Sequence, residues 1–549
     1  MAAVDLDGTL TSRSRVSAEA LEAIDRARQT GLVVVLVTGR IGVELAAEFP
    51  DIADHFDALV LENGAVAVTD GRAHRLAAPV DRVLDDALAE WRVPFRRGEV
   101  LLAIDGEHVA TVVEVIGMLG LDCQIVRNRA AVMVLPAGVT KGAGLGAVLA
   151  EMNLLLHNTV AVGDAENDLS LFGTAEIGAA VANAVPSVRE HADLVLDNED
   201  GAGVAELLTG PHISGARRWC PPRRWVELGT FDDGTPVKVP GSQARILVTG
   251  PAGSGKSYLV GLMAEQWIQA GYCVLLLDPE GDHVELGEFN QVQVIEARHH
   301  LPEPAELVDT LHPHTSVVVD LSGLAGPHKT DYLHRLRSAA GVHREARGFP
   351  HWVIYDEAHL LGSHEEAHWT RRGGYVLSSF APASLPANEI DDTDVVLTLD
   401  EADTAGDVAS RTLRRASVRF GAGPPRGFTI AGRRTAHVRH RHKYADVSLP
   451  RERRFYFRPV DGRVVAAVGT MGDFCTAVGH LDPRALQYHL ERGDFSRWLD
   501  DIIADKELAA QVAVWEDELL AHRAADLERI RRQLVQAVEQ RYLGSPNHD

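Results

Sequence analysis

The sequence predicts a multidomain α/β protein. Three observations predict it: the length, a repeated alternation of short apolar strands with amphipathic stretches, and acidic or glycine-rich motifs placed where those strands end. At roughly 100 to 200 residues per domain, 549 residues hold about three or four domains, each able to bury its own core. Hydrophobic residues make up 46% and charged residues 24%, an ordinary globular composition. The 54 Lys+Arg against 78 Asp+Glu give a net charge of −24, which argues against nonspecific nucleic-acid binding by the whole surface and leaves local basic patches open. Apolar runs such as Leu32–Val37 and Val274–Leu277 are strand-length, far below the ~20 residues of a membrane span, so no membrane partner is expected. Met1 leads almost at once into charged, motif-like sequence without a signal-peptide pattern, and the expected location is cytoplasmic. Cys123, Cys220, Cys273 and Cys475 form no CxxC pair, so neither a disulfide framework nor a zinc site is encoded.

Residues 1–210 carry βα rhythm: Val33–Val37 then Ile41–Phe49, and later Val160–Val162 then Asp168–Phe172. The Pro-, Arg- and Trp-rich stretch 211–225 is expected to be a linker. A second βα segment, 226–450, opens with a hairpin expected at Asp232-Asp233-Gly234. Residues 451–549 are expected to form an accessory module closing in a long helical stretch from Leu508 to about Tyr542. Within it Val512, Trp515, Leu519 and Leu520 have the spacing of one packing face.

The first candidate site is Val4-Asp5-Leu6-Asp7-Gly8-Thr9-Leu10, two carboxylates at the end of an apolar strand followed by a glycine turn. In order along the chain come Val37-Thr38-Gly39-Arg40, Lys141, and Gly163-Asp164-Ala165-Glu166-Asn167-Asp168. Most lie at or near strand C-termini, where open α/β sheets build their sites. Residues 1 to about 208 thereby resemble the haloacid-dehalogenase (HAD) superfamily, and within it the Cof-like phosphatases. The Glu62-Asn63-Gly64-Ala65 and Asn183-Ala184 segments are similar to that subfamily as well. The resemblance implies a Rossmann-like domain with an αβ cap inserted at about 73–136, in the order αβαββ. It implies Asp5 as the nucleophile forming an aspartyl-phosphate, Asp7 as general acid and base, and Thr38 as a phosphoryl-oxygen contact. Lys141 would hold nucleophile and phosphate charge together. Asp5, the Asp7 backbone carbonyl and Asp164, with Asp168 in support, would hold Mg²⁺, and the substrate would be a phosphorylated small molecule. Only Met1 to Val4 precede Asp5, so either the first strand is short or further sequence lies upstream. Arg96, Arg97, Arg127 and Arg129 of the cap are candidate substrate contacts, equally readable as surface charges.

The second candidate site is the strand Ile246-Leu247-Val248-Thr249 running into Gly250-Pro251-Ala252-Gly253-Ser254-Gly255-Lys256-Ser257, followed by a helix pattern. Such a GxxxxGKS loop cradles phosphates on backbone N–H groups, so Gly250, Gly253, Ser254 and Gly255 are expected to bind ATP. Lys256 would reach the β and γ phosphates and Ser257 the Mg²⁺. About a hundred residues on, Trp352-Val353-Ile354-Tyr355 ends in Asp356, suited to the Mg²⁺ shell, and Glu357, suited to activating water. With the lead-in Gly229–Pro240, Asp278-Pro279-Glu280-Gly281-Asp282 and Val317–Leu324, residues 226–440 resemble the HerA and FtsK-like translocating ATPases. This implies a RecA-like P-loop α/β domain and a candidate homo-oligomer. Phe380 stands where that family carries a polar sensor, and Arg414 and Arg415 are candidate fingers or a solvated helix face.

Between Arg426 and Arg458 there are ten Arg/Lys against two acids, with Arg439, Arg441 and Lys443 alternating as on one face of a strand. That segment is either a solvated edge or a candidate nucleic-acid contact. The tail around Tyr488–Leu499 resembles a small helical domain of prokaryotic proteins and implies no chemistry. The expected whole is a Mg²⁺-dependent phosphatase fused to an ATP-hydrolysing P-loop domain and a mostly helical module. Two alternatives stand beside it: a nucleic-acid end-processing or translocating enzyme using both domains, and a small-molecule phosphatase gated by nucleotide.

Overall fold

The computed structural model describes all residues except 13–14, 129–130, 252–253, 362–372, 386, 400–413, 436–448, 450–453, 459–465, 504, 522–526 and 544–549; of residues 128, 131, 388–389, 506 and 543 it describes the backbone alone. The chain divides into two compact units. One is Met1–Val226 with Val239–Ala244 and Thr370–Gly373; the other is Glu227–Lys238, Arg245–Trp369 and Gly374–Asp549. Among the described residues no helix is long and apolar enough to cross a membrane.

The first unit is built on an eight-stranded sheet. Its order is Leu194–Val195, Ile177–Ala180, Val160–Gly163, Ala2–Asp5, Val34–Val37, Ala58–Leu61, Val66–Thr69, Arg72–Arg75. The first six are parallel and the last two antiparallel. Ala2, Ala3 and Val4 and all of Val34–Val37 are buried, as expected of strands covered on both faces. The strand Arg72–Arg75, placed in the cap by the sequence reading, is an edge strand of this sheet. The cap begins at the helix Arg82–Glu90 and runs αββαββ, not αβαββ. Its strands Phe95–Arg97, Leu102–Asp105, Cys123–Asn128 and Ala131–Pro136 form a four-stranded antiparallel sheet, and Val109–Leu119 is its second helix. Leu84, Leu88, Leu102, Ile104, Val112, Val115 and Val134 give the cap a core of its own.

The expected linker 211–225 is packed within this unit. Arg224 donates to the carbonyls of Gly173 and Thr174 at 2.8 and 3.0 Å, at the end of the helix Leu169–Thr174. Arg223 donates to the Glu176 carbonyl at 2.9 Å and to Asp193. Carbonyls at a helix C-terminus have no intrahelical donor, and guanidinium groups satisfy them, so the segment's composition serves docking instead of flexibility.

The second unit carries an eleven-stranded sheet. Its order is Pro236–Val239, Val226–Phe231, Arg426–Ile430, Arg415–Phe420, Val395–Leu399, Arg245–Thr249, Tyr375–Ser379, Trp352–Tyr355, Val274–Asp278, Ser316–Asp320, Val292–Glu296. The expected hairpin is present, closed by Gly234 N–H on the Phe231 carbonyl at 2.9 Å. The strand ending at the phosphate loop lies in the parallel part, between Val395–Leu399 and Tyr375–Ser379. Arg414 and Arg415 do not lie on a helix: Arg415 opens a strand and pairs with Asp232, while the Arg414 guanidinium lies 3.5 Å over the Tyr258 ring.

Residues 508–542 do not form one helix. Lys506–Ala521 and Leu527–Val538 are separate, and Arg541 and Tyr542 bond back to Asp505 at 2.6 and 2.7 Å. A continuous helix would hold residues 505 and 542 about 55 Å apart, so the two helices fold back on each other. Val512, Trp515 and Leu519 are buried in their core with Ile530 and Leu534, whereas Leu520 faces outward.

Of the ten cations between Arg426 and Arg458, the alternating Arg439, Arg441 and Lys443 lie outside the described residues. Arg433 is buried and donates to the equally buried Glu265 at 2.8 Å, and Glu265 also accepts from Arg434 N–H at 2.8 Å. Breaking such a buried pair costs about 3–5 kcal/mol, so Arg433 is committed to the fold instead of to a phosphate.

Candidate functional site

In the first unit, three neighbouring parallel strands deliver the chemistry from their C-terminal ends. Asp5 ends the strand Ala2–Asp5, Thr38 follows Val34–Val37, and Asp164 follows Val160–Gly163. All three are buried. Lys141, at the first turn of the helix Lys141–Glu151, is fully buried and donates to Asp5 Oδ1 and Asp168 Oδ1, both at 2.6 Å. Asp168 Oδ2 accepts the backbone N–H groups of Asp164 and Ala165 at 3.0 Å, so this carboxylate is spent on orienting its neighbours. Thr9 Oγ1 donates to Asp164 Oδ1 at 3.1 Å. Burial, with Asp168 beside it, pushes the Asp5 carboxyl well above the usual carboxylate range against the pull of Lys141. Burial opposes the Lys141 charge too, but Asp168 and Asp5 outweigh it and hold the ammonium above its ordinary value.

The structure thus brings Asp5, Lys141, Asp164 and Asp168 together. Asp5, Asp164 and Asp168 can each offer an oxygen within 4.8 Å of the others. Three buried carboxylates against one ammonium leave an excess of negative charge, and the donors are hard oxygens; both features fit Mg²⁺. Asp7 is turned to Arg40, whose Nε and Nη2 donate to its two oxygens at 2.9 and 2.7 Å. The sequence reading gave Arg40 no role, although it stands two residues beyond Thr38. Thr38 Oγ1 accepts the Arg40 N–H at 3.2 Å, so Thr38 and Arg40 form one turn beside the nucleophile. Of the cap arginines, Arg96 pairs with Glu44 at 2.9 Å and Arg97 donates to Asp85 at 2.5 Å, so these two are engaged in ion pairs; Arg129 lies outside the described residues.

In the second unit, Gly255 (φ 99°) turns the loop into the helix Lys256–Gln269. Lys256 Nζ donates to the carbonyls of Gly250 and Pro251 at 3.1 and 2.9 Å, and Ser254 lies in the loop between them and the helix. Gly253 lies outside the described residues. Asp356 follows the strand Trp352–Tyr355, as expected. It is buried, yet His283, whose Nε2 lies 2.9 Å away, together with Ser378 and Ser257, overcomes the burial and holds its carboxyl down to about 2. Glu357 takes a left-handed backbone (φ 51°), and burial with Asp356 beside it pushes its carboxyl up to about 7, against the opposing charge of Lys256. A carboxylate near neutral pKa is matched to accepting a proton from water. Asp278 accepts the N–H groups of Gly281 and His283, each at 2.8 Å, and so folds the loop that seats His283. His283 was missed by the sequence reading. The only signal for it is a polar residue closing a turn five positions beyond a buried strand-end aspartate. Phe380, at the expected sensor position, is half exposed and meets the His359 ring edge-on at 4.4 Å, while the buried polar residues there are Ser378 and Ser379.

The family model of haloacid dehalogenase-like hydrolases matches residues 2–81 and 122–208, leaving out most of the cap. Phosphoglycolate phosphatase of Archaeoglobus fulgidus is 32% identical over 221 residues, covering 38% of this chain and 94% of the relative. The chain belongs to the haloacid dehalogenase-like hydrolases. A second relative of this HAD domain, the phosphoglycolate phosphatase of Halorubrum lacusprofundi, is 34% identical over 223 residues, 38% of this chain and 94% of its own. A crystal structure from Thermoplasma acidophilum is 24% identical and covers 38% of this chain and 95% of its own, at a TM-score of 0.33. Residues 226–417 match the central domain of helicase HerA. The fusion is therefore a haloacid dehalogenase-like hydrolase domain followed by a HerA-like domain.

Proposed function

We propose that the HAD domain is a Mg²⁺-dependent phosphomonoester hydrolase working through an aspartyl-phosphate on Asp5, and that the HerA-like domain binds and hydrolyses ATP. The buried Asp5, ending its strand 2.6 Å from Lys141 within a carboxylate cluster, carries the first half of this reading. Asp5, the Asp7 carbonyl and Asp164 would hold Mg²⁺, which when bound offsets negative charge on the transferring group. An Asp5 oxygen attacks phosphorus and the ester P–O bond breaks. Asp7 delivers a proton to the departing oxygen, while Lys141 and Thr38 contact the phosphoryl oxygens. Water then attacks the acyl-phosphate with Asp7 as base, releasing inorganic phosphate and restoring Asp5. Among substrates, a small carboxylate-bearing phosphomonoester such as phosphoglycolate stands first, since the relatives that match nearly their whole length are named for it.

In the HerA-like domain Lys256 would contact the β and γ phosphates, Ser257 and Asp356 would hold Mg²⁺ with the nucleotide, and Glu357 would take the proton of the attacking water. The four free cysteines suit a reducing compartment such as the cytoplasm.

Phosphate release over phosphoglycolate, sugar phosphates, nucleotides and 3′-phosphorylated oligonucleotides tests the phosphatase. Phosphoglycolate is expected to give the highest kcat/KM. Chelation by EDTA is expected to cut turnover by at least about 100-fold, with recovery on adding Mg²⁺. Turnover unaffected by chelation, or a preference for the oligonucleotide, would contradict the reading.

A further inference from the structure

Glu62 lies outside the machinery described so far. It directly follows the core strand Ala58–Leu61, is 1% exposed, and holds a left-handed backbone at φ 52°. Asn63 (φ 59°) and Gly64 (φ 105°) continue that conformation. Successive left-handed non-glycine residues are costly and persist only where the surroundings over-determine them.

The Glu62 carboxylate points into the cap. Oε1 accepts the backbone N–H of Glu99 at 2.7 Å, and Oε2 accepts those of Val100 and Leu101 at 2.8 and 3.0 Å. Three consecutive amides converging on one carboxylate make an anion nest, and charge-assisted bonds of this kind are the strong ones. These residues join the cap strands Phe95–Arg97 and Leu102–Asp105. The approach is close: a Cβ on Gly98 would lie 2.4 Å from Glu62 Oε1. On the core side, Asn63 donates its N–H to the Thr38 carbonyl at 3.0 Å, and its Oδ1 accepts from Asn167 Nδ2 at 3.2 Å. The same turn therefore touches the cap and the segments carrying Thr38 and Asp168. The cap also covers the site beside Thr38, since the buried Met133 places its sulfur 3.0 Å from where a Cβ on Gly39 would be. By contrast, the Arg96–Glu44 pair at the rim is exposed and contributes little.

We propose that Glu62 is a positioning residue that holds the cap shut over Asp5, and that the closed cap, with Met133 above Gly39, selects small phosphomonoesters. This rests on the phosphatase reading of Asp5. Glu62 touches no reacting atom; it sets the fraction of molecules whose cap is in place when substrate arrives. Lowering that fraction raises the apparent dissociation constant in proportion and leaves the saturated rate intact.

The test is Glu62→Gln in the full chain, where an amide N–H₂ replaces one acceptor and faces a backbone donor. KM for phosphoglycolate is expected to rise at least about 10-fold with kcat within about 3-fold, while kcat/KM for p-nitrophenyl phosphate, a bulkier aryl ester that a shut cap selects against, is expected to hold or rise. Hydrogen exchange of the amides of residues 99–101 is expected to speed up, whatever the substrate. Gly98→Ala reaches the same contact from the cap side without altering Glu62, and Gly98 does not lie at positive φ. It is expected to give the same KM change and decides the matter if Glu62→Gln fails to fold. Unchanged exchange at residues 99–101, or an equal loss of kcat on both esters, would overturn the proposal. A wild-type chain inactive on every ester would contradict the phosphatase reading instead, and the exchange measurement would still judge the clamp.

Discussion

Replacing Asp5 with Asn is expected to lower phosphate release from phosphoglycolate and from p-nitrophenyl phosphate by at least about three orders of magnitude, because the amide cannot form the acyl-phosphate. ATP hydrolysis is expected to stay at its wild-type rate. The fold is expected to survive the change. Burial is the main force raising the Asp5 carboxyl, so the site bears an energetic cost for that charge, and a neutral amide of the same shape removes it. Lys141 keeps its second carboxylate, Asp168, at 2.6 Å. The melting temperature is therefore expected to hold or rise while phosphatase activity vanishes. Equal loss of phosphatase and ATPase activity would contradict two separate sites.

The second large effect belongs to Glu357. Glu357→Gln is expected to slow ATP hydrolysis about 10²- to 10⁴-fold, the range that a positioned general base contributes, with ATP affinity retained. Retention follows because the substitution leaves Lys256, Ser257 and Asp356 in place. Glutamine also resembles the protonated form that burial and Asp356 already favour by pushing the carboxyl up to about 7, so little reorganisation is expected. Equilibrium ATP binding and steady-state turnover on the same preparation check this. Normal turnover would remove Glu357 from the mechanism, and lost binding would make it a structural residue of the loop.

Much of both sites was legible in the sequence because strand ends are local features. Asp5, Thr38, Asp164 and Asp356 each close a short apolar run, and such runs are read from a handful of neighbours. Lys141 is different: a lone lysine opening a glycine-rich helix carries no local sign of burial. Only its order among the other motifs pointed to it, and the fold then placed it between two carboxylates. The cap boundary was misplaced for a related reason. Arg72–Arg75 is polar because it is an edge strand, so no apolar alternation marks it, and it is held by the turn at Asp70-Gly71, both at positive φ. Arg223 and Arg224 read as linker residues because their carbonyl partners, about 50 residues upstream, are found only in three dimensions. The separation of Lys506–Ala521 from Leu527–Val538 is not legible because the apolar spacing continues on both sides of residues 522–526. Glu62 and His283 share one limitation: each acts by accepting from or donating to groups that sequence proximity does not reveal.

If phosphoryl transfer passes through Asp5, the acyl-phosphate exists during every turnover and can be trapped. The most direct measurement is rapid quenching during turnover of phosphoglycolate, followed by borohydride reduction and sequencing of the peptide that ends at Arg13. Borohydride converts an aspartyl-phosphate to homoserine and leaves a free carboxylate untouched. Homoserine is expected at position 5, dependent on substrate and absent when Asp5 is replaced by Asn. Turnover with no homoserine at position 5, or with homoserine at another aspartate, would contradict transfer through Asp5.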